Sequence, residues 1–548
     1  MTLKKLLPMA AALTTLVSIA AHAAAPGITS TTGTTGQFNL VAGTGSLNQP
    51  DGQAIYSWGY GCAAAPPTAS FVPFAGSCGL MQVPAPTMIV NEGQTVTVTL
   101  TNNLPTAAGN TSILFPGFQV TASAPASQPA TCKSTTPVTQ GLLTMEAANG
   151  CSITYTFVAS SPGTRSYYSG TQGDLQIEMG MYGAIIVLPS STGAGYTACN
   201  ADKLRAGNLA VQAAHNETVF RLAPAAYDNA RTCYDREYLF QFSEIDTNIH
   251  RQAYAQVMDP TRMAACSAGA NSPGCSLEVQ TQPYIPAYFL INGRSMPDDM
   301  DANYALEYPN QPYNGNPHMH PGELVLLRII GQGRWQHPFH EHANHVRILA
   351  RDGNLITDST GQNLAGPLFF TTTTTPGLAM DGIFYYTGRG LNWDMYGHNP
   401  GSTSGDANAT LPCYPDSNGY YTVNSVPAAP VSTTNYYEWC LDHNKPLEVS
   451  PLGDVSPGGP VTLPDPNIFT NGAWYSGSPY LGPDATARAT GPNSVFQPAD
   501  TQANPERAYA FMWHSHNERE ITTNNVFPGG MFMMMLVDSR EFVIDETK

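Results

Sequence analysis

Apolar and polar residues alternate along several short segments of the chain, which is the period-two pattern of half-buried β-strands. Val96, Val98 and Leu100 alternate with threonines, and Ile153 and Phe157 belong to a second such segment. Continuous apolar runs typical of buried core strands follow at 181–188, 324–330, 346–350, 383–386, 508–513 and 531–537. No long segment shows a helical period. The pattern therefore predicts an all-β fold.

Two blocks of the chain resemble each other. Each block has an apolar strand preceded by a similar segment, Asn-Glu-Gly-Gln at 91–94 and His-Pro-Gly-Glu at 320–323. A second match joins Tyr-Tyr-Ser-Gly at 167–170 to Trp-His-Ser-His at 513–516. A third joins Gly-Met-Tyr at 180–182 to Gly-Met-Phe at 530–532. Such internal similarity predicts two copies of one β-sandwich. We place them at 24–190 and 236–548, with a linker at 191–235. The Gly-, Pro-, Asn- and Ser-rich stretch at about 391–505 is predicted to be an insertion in the second copy.

Composition and the first residues narrow the class of protein. Lys and Arg total 23 against 40 Asp and Glu, and this formal net charge of −17 argues against nucleic acids and anionic membranes as partners. A cleaved signal peptide is predicted at 1–23, because Lys4 and Lys5 precede an apolar stretch and Ala-His-Ala at 21–23. No membrane span is expected, because no later apolar run is long enough. We therefore expect a periplasmic or extracellular protein. Its 10 cysteines are predicted to form disulfides, with a connectivity that the sequence leaves open.

Histidines are concentrated in two short segments. Of 13 in the chain, four lie in the sequence HPFHEHANH at 337–345 and two in HSH at 514–516. On strands, His340 and His342 present both imidazoles to one face, and so do His514 and His516. Imidazole is a ligand for Zn, Cu, Fe and Ni. The two pairs predict either a hydrogen-bonded polar patch or, as we expect, a metal-binding face whose side-chain nitrogens converge within about 4–5 Å.

These motifs resemble those of the multicopper oxidases. The segment HPFHEH at 337–342 looks like that family's H-P-x-H-x-H motif, and 514–531 looks like its H-C-H-x-x-x-H…G-M motif. The resemblance implies cupredoxin-like Greek-key β-sandwiches, two in this chain, with three domains as the alternative. It also implies copper in two kinds of site, a type-1 electron-accepting copper and a trinuclear cluster that reduces O2.

Several of the family's copper ligands are replaced in this sequence. The two early motifs fall on Leu-Phe-Pro-Gly at 114–117 and Tyr-Ser-Gly at 168–170, so half of the trinuclear-cluster histidines are absent. At the type-1 position Ser515 replaces the thiolate cysteine, whose softness a hydroxyl lacks, and Glu520 replaces the second histidine. The candidate metal ligands are therefore His340, His342, His514, His516 and His337, with His345, Glu520 and Met531 as further candidates.

Copper is the expected cofactor, and Zn is an alternative because it also binds imidazole. Mn is a further alternative, because Glu518 and Glu520 offer oxygen ligands that suit a harder metal. His318 and His320 are a further pair, either a loop pair or an additional metal site. Three functions remain open: an oxidoreductase acting on a metal ion or small reductant, a non-catalytic accessory or structural subunit, and a copper-handling protein. A further hypothesis is a hetero-oligomer in which the histidines face an intact cupredoxin domain of another protein.

Overall fold

The computed structural model describes residues 25–214, 216–320, 323–343, 345–361, 363–385, 508–538 and 543–546, together with four two-residue strands between 414 and 460. The predicted signal peptide at 1–23 and nearly all of the predicted insertion at 391–505 lie outside the described residues. Within the described ranges, no helix combines the length and the hydropathy that a membrane span requires.

The N-terminal block is built from two five-stranded sheets and a small hairpin. Sheet I has the strand order β3-β2-β6-β10-β7, sheet II has the order β11-β12-β5-β1-β4, and β8 pairs with β9. The strands are β1 (Gly27–Ile28), β2 (Gln37–Asn48), β3 (Ala54–Cys62), β4 (Phe71–Val72), β5 (Met88–Asn91), β6 (Thr95–Asn102), β7 (Thr121–Ser123), β8 (Val138–Gln140), β9 (Met145–Ala147), β10 (Ser152–Val158), β11 (Gly163–Tyr168) and β12 (Tyr182–Leu188).

The C-terminal block is built from two further sheets. Sheet III has the order β14-β13-β16-β22-β18-β19, with β20 also paired to β18, and sheet IV has the order β15-β28-β27-β17-β21. Two short hairpins, β23–β24 and β25–β26, complete the set. The strands are β13 (Arg236–Ile245), β14 (Tyr288–Ile291), β15 (His318–Met319), β16 (Leu324–Gly331), β17 (His337–Glu341), β18 (Val346–Arg351), β19 (Asn354–Leu355), β20 (Leu368–Phe369), β21 (Thr371–Thr374), β22 (Ala379–Tyr385), β23 (Tyr414–Pro415), β24 (Tyr421–Thr422), β25 (Val455–Ser456), β26 (Gly459–Pro460), β27 (Ala508–Ser515) and β28 (Phe532–Asp538).

The predicted all-β class is confirmed, and helices occur only between and beside the sheets of the described chain. They are α1 (Gly173–Gln176), α2 (Ala194–Asn200), α3 (Lys203–Ala214), α4 (Thr247–Val257) and α5 (Pro260–Cys266), with single 3₁₀ turns at Thr68–Ser70, Thr106–Ala108 and Asp298–Met300. The expectation of no helical period was wrong at α4, where Asp246 caps the helix through the Asn248 amide and Ile249 and Ala253 are buried one turn apart. The predicted linker at 191–235 contains α2 and α3.

The two blocks share one arrangement of strands. In sheet I, β2 is parallel to β6, which is antiparallel to β10. In sheet III, β13, β16 and β22 follow the same scheme. In sheet II, β11 is antiparallel to β12, which is parallel to β5. In sheet IV, β27, β28 and β15 repeat it. The similarity of 167–170 to 513–516 thus corresponds to equivalent ends of β11 and β27.

Two apolar cores fill the two pairs of sheets. One core joins residues of sheets I and II, including Trp58 and Tyr155, and the other joins sheets III and IV, including Phe240 and Trp513. A third apolar cluster packs sheet II against sheet III through Ile186 and Leu239 among others. The sheets therefore stack in the order I, II, III, IV, and the outer face of sheet IV points away from the N-terminal block.

Disulfides connect sequential cysteines, as expected for an exported chain. The four bridges are Cys62–Cys78, Cys132–Cys151, Cys199–Cys233 and Cys266–Cys275. The prediction of disulfides is confirmed for these eight cysteines. Cys413 and Cys440 lie outside the described residues.

Candidate metal centre

Strands β17 and β27 carry the histidines predicted to bind metal. They are antiparallel neighbours in sheet IV, and His340 lies directly opposite His514. Because side chains alternate along a strand, Phe339 and Trp513 enter the core while His340 and His514 point to the outer face. His342 is buried, and His516 is exposed at the end of β27. We call these four residues, His340, His342, His514 and His516, the histidine face.

The rings of the histidine face contact one another. Ring centroids are 4.8 Å apart for His340 and His342, 5.6 Å for His340 and His514, 5.1 Å for His340 and His516, and 5.3 Å for His342 and His514. The Nε2 atoms of His342 and His514 are 3.3 Å apart. Two nitrogens bound at about 2.0–2.1 Å to one tetrahedral ion would also lie roughly 3.3 Å apart. The convergence that the sequence predicts for four residues is thus met by one pair, which we call the histidine pair.

Neighbouring groups orient the rings of this face. Nδ1 of His514 is 2.8 Å from the carbonyl oxygen of Ser515, and a carbonyl only accepts, so Nδ1 carries the proton. The Nε2 of neutral His514 is then the lone-pair nitrogen, and it faces His342. Nδ1 of His340 is 2.8 Å from the Thr371 hydroxyl. Such outer contacts are what orient metal-ligating histidines in proteins.

Burial favours the neutral form of two of these rings, His340 and His514. It lowers the pKa of His340 to about 4, and the neighbouring His514 and His516 act in the same direction. Burial also lowers the pKa of His514, with the nearby His516 adding to the effect. A metal ion binds the neutral imidazole, so this environment removes the competition with protons at neutral pH. The histidine pair therefore fits a transition-metal ion.

His337, three residues before His340, points to the opposite face and is fully buried between the sheets. Its Nδ1 is 2.9 Å from Glu520 Oε2 and its Nε2 is 3.0 Å from Glu244 Oε2. Burial acts to lower the pKa of His337, but the two carboxylates outweigh it and raise that pKa to about 9. His337 is therefore an imidazolium at neutral pH, with both nitrogens engaged. We call Glu244, His337 and Glu520 the Glu–His–Glu bridge.

The residues of this bridge do not fit a type-1 copper ion. The Ser515 hydroxyl donates to Glu520 Oε2, and Met531 packs in the apolar core while its backbone bonds to Ser515 and Glu520. The four type-1 positions thus come together, as the resemblance implies, but around a hydrogen-bonded ion pair. Metal binding by His337, Glu520 and Met531 stays a prediction that this geometry does not favour.

His345 is half-buried, its ring centroid is 5.0 Å from that of Phe370, and burial lowers its pKa. The Phe370 ring also contacts His340, with 5.7 Å between the centroids. The role of His345 as a ligand also stays a prediction.

A buried ionic cluster that contains His320, one of the further pair His318 and His320, lies at the other edge of sheet IV. Glu217, His320 and Glu323 form the one group of three potential ligands within 4.8 Å of each other in the described part of the chain. The Arg236 guanidinium, however, contacts Glu217 and lies 2.6 Å from Glu323 and 3.2 Å from Glu546. Burial would raise the pKa of Glu217, but Arg236 and His320 lower it to about 2.

Arg236 thus already supplies the positive charge in this cluster. We therefore interpret the cluster as a structural ion-pair network rather than a metal site. His320 and Glu323 are close in sequence, but Glu217 precedes His320 by 103 positions. The histidine pair at 318 and 320 therefore indicated one member, and no local motif could have indicated Glu217 or Arg236.

Part of the N-terminal block matches a protein-family model. Residues 81–192 match the family model described as multicopper oxidase. This part of the chain is therefore similar to the multicopper oxidases, the family that the histidine motifs also resemble. The match covers β5 to β12, so the histidine face lies outside it. None of the curated proteins matches the chain.

Solved structures of copper proteins are similar to the chain at low identity. The multicopper oxidase mgLAC has 14% identity and a TM-score of 0.41, covering 91% of this chain and 85% of that one. The blue copper oxidase from Nitrosomonas europaea has 15% identity and a TM-score of 0.41, covering 91% and 84%. The copper nitrite reductase from Nitrosomonas europaea has 17% identity and a TM-score of 0.34, covering 64% and 84%.

Proposed function

We propose that the protein binds one transition-metal ion, copper foremost, between His342 and His514, and that its function is copper handling. The 3.3 Å between the two Nε2 atoms carries this proposal. The Ser515 carbonyl supports it, because it fixes the His514 tautomer whose lone pair faces His342. All-imidazole ligation favours copper or zinc over manganese, which prefers oxygen ligands.

His340 and His516 complete the proposed site. Their rings lie next to the histidine pair, and small rotations about χ2 would turn their nitrogens toward a bound ion. His516 is exposed, so an ion bound beside it is accessible from solvent and to a molecule that donates or accepts copper. An open site suits uptake and release better than permanent storage.

A second candidate function is oxidation of a metal ion or a small reductant at the same site. The exposure of His516 favours it, because a reductant could reach the bound copper directly. The Glu–His–Glu bridge argues against turnover of the kind that enters through a type-1 copper, since an imidazolium occupies that position. We therefore rank copper handling first.

We further propose that the protein is exported and acts beside a partner. The predicted signal peptide and the four disulfides support an oxidising compartment. The histidine face lies on the outer side of sheet IV, while the chain's own N-terminal block packs against sheet III. A cupredoxin domain of another protein could therefore approach the histidine face as an accessory interaction.

Metal analysis tests the function. Purified protein is stripped with a chelator, dialysed against Cu(II), and measured by mass spectrometry for bound copper. We expect about one copper per chain, lost in the H342A/H514A double variant and retained in Thr373→Ala, an exposed position on the same sheet. A wild-type protein without copper, or a double variant that keeps it, would overturn the proposal. An oxidase assay on the loaded protein then ranks the two candidate functions.

A further inference from the structure

The carboxylate of Glu520 closes the loop that follows β27. Its Oε2 accepts a hydrogen bond from the Ser515 hydroxyl, and its Oε1 accepts one from Asn517 Nδ2 at 2.9 Å. The backbone N–H of Asn517 in turn donates a hydrogen bond to the Ser515 hydroxyl oxygen at 3.2 Å. One buried carboxylate thus fixes both ends of the loop that carries His516.

Glu520 is itself held from the other side of the sandwich. His337 on β17 donates to it, and the second nitrogen of His337 donates to Glu244 on β13 in sheet III. Oε1 of Glu244 accepts the backbone amides of Arg334 and Trp335 at 2.6 and 2.9 Å. The chain of contacts therefore ends on two backbone amides, and every side chain of the Glu–His–Glu bridge is buried.

Ser515 connects this bridge to the histidine face. Its side chain points inward to Glu520, whereas its carbonyl oxygen accepts from Nδ1 of His514. A rotation of the Ser515 peptide would remove that acceptor, and His514 would then be free to place its proton on Nε2, toward His342. The tautomer that suits metal binding thus depends on how Ser515 is held.

We propose that the Glu–His–Glu bridge is a positioning unit for the histidine pair, which holds Ser515 so that His514 presents an unprotonated Nε2 to the metal. The inference rests on the proposed function and gives the broken type-1 position a task that needs no metal ion there. Groups that orient a ligating histidine from outside the first ligand sphere affect metal affinity by about 10–100-fold.

The test replaces one carboxylate and reads two signals. Glu520→Gln keeps the shape of the side chain but removes its negative charge and exchanges one acceptor oxygen for an amide donor. That amide faces either the two donors at Oε2, from Ser515 and His337, or the Asn517 Nδ2 donor at Oε1. The matched control is Glu278→Gln, an exposed carboxylate outside sheet IV. In metal-free protein, ¹⁵N NMR of the imidazoles reports the His514 tautomer. Competition with a chromogenic chelator then gives the Zn(II) dissociation constant.

We expect wild type and Glu278→Gln to show a single His514 tautomer with the proton on Nδ1, and Glu520→Gln to show a mixture. We also expect Zn(II) to bind Glu520→Gln about 10–100-fold more weakly than wild type. Ser515→Ala is the second variant, because it cuts the link between bridge and strand while leaving the His337 ion pairs in place. It should give the same two changes, and it covers the case of an unfolded Glu520→Gln.

An unchanged tautomer in folded Glu520→Gln and in Ser515→Ala would overturn the positioning role. Equal Zn(II) affinity in wild type and both variants would do the same. If wild type binds no Zn(II) or Cu(II), the proposed function fails instead, and the tautomer measurement still decides whether the bridge orients His514.

Discussion

His340 lies directly opposite His514 in the antiparallel pair of β17 and β27. Because side chains alternate along each strand, this register gives the two strands two different faces. Imidazoles line the outer face, and Phe339, Trp513 and the Glu–His–Glu bridge lie inside. A shift of one residue would exchange the two sets. The register therefore separates a candidate metal site from a metal-free ion pair only one residue away.

Copper-loaded protein should show no intense blue charge-transfer band. That band needs a copper–thiolate bond, whereas residue 515 is a serine whose hydroxyl donates a hydrogen bond to Glu520. Ser515→Cys alone should not restore the band, because Glu520 stands at the second histidine position and His337 keeps both nitrogens in hydrogen bonds. Visible absorption spectra of both proteins with added Cu(II) are the measurement.

A strong blue band in the wild type would contradict this prediction and would mean that a cysteine thiolate elsewhere in the chain binds copper. A strong band in Ser515→Cys would mean that the introduced thiolate is sufficient despite Glu520 and the hydrogen-bonded His337.

Much of the fold follows from local sequence pattern. The alternation around Val98 predicts β6, the apolar run at 181–188 predicts β12, and the matched segments at 167–170 and 513–516 occupy equivalent strand ends. These predictions succeed because a strand's period and its exposure are encoded within a few residues. The register that brings His340 beside His514 follows from the same pattern.

Other features depend on contacts between distant residues, and no local pattern announces them. Glu244 reaches His337 across 93 positions, and Arg236 reaches Glu546 across 310. Their residue types look like ordinary strand and tail positions until the sheets stack. Helix α4 was missed because its buried face is only Ile249, His250 and Ala253, too short for a periodic signal.

Replacing Glu341 by Gln should remove part of the alkaline instability of the protein. Glu341 is fully buried, and burial raises its pKa to about 8 despite the hydroxyl that Thr372 donates to it at 2.7 Å. A carboxyl whose pKa is higher in the folded chain than the usual 4.5 stabilises the fold fully at low pH. That contribution is lost as the pH rises from the unfolded to the folded pKa, at about 1.4 kcal/mol per pH unit.

Urea unfolding of wild type and Glu341→Gln at pH 5 and pH 8 measures the effect. The two proteins should be similar at pH 5, and the variant should be the more stable one at pH 8 by about 2 kcal/mol or more. The variant should keep a smaller decline up to about pH 9, since His337 also has a raised pKa. Equal pH slopes in the two proteins would show that Glu341 does not titrate in this range.

Removing the Cys199–Cys233 bridge should cost more stability than removing Cys266–Cys275. The first closes a loop with a sequence separation of 34 and the second one of 9. Loop-closure entropy predicts losses of about 4 and about 2.5 kcal/mol for the two double Cys→Ala variants. Chemical unfolding of each variant, compared with wild type under non-reducing conditions, tests this order, and the reverse order would contradict it.

Arg236→Ala should be among the most destabilising single changes in the chain. Arg236 is buried and contacts Glu217, Glu323 and Glu546, and its removal leaves carboxylates without a counter-charge. Breaking a buried ion pair in this way costs about 3–5 kcal/mol. Arg236 lowers the pKa of Glu217, which burial alone would raise, so Glu217 in the variant should take up a proton as the pH falls and recover part of the loss. Arg251→Met, an exposed position on α4, is the control and should change the free energy of unfolding by less than about 0.5 kcal/mol. A loss below about 1 kcal/mol in Arg236→Ala at pH 7 would instead point to another cation in the cluster, and metal analysis of the variant would identify it.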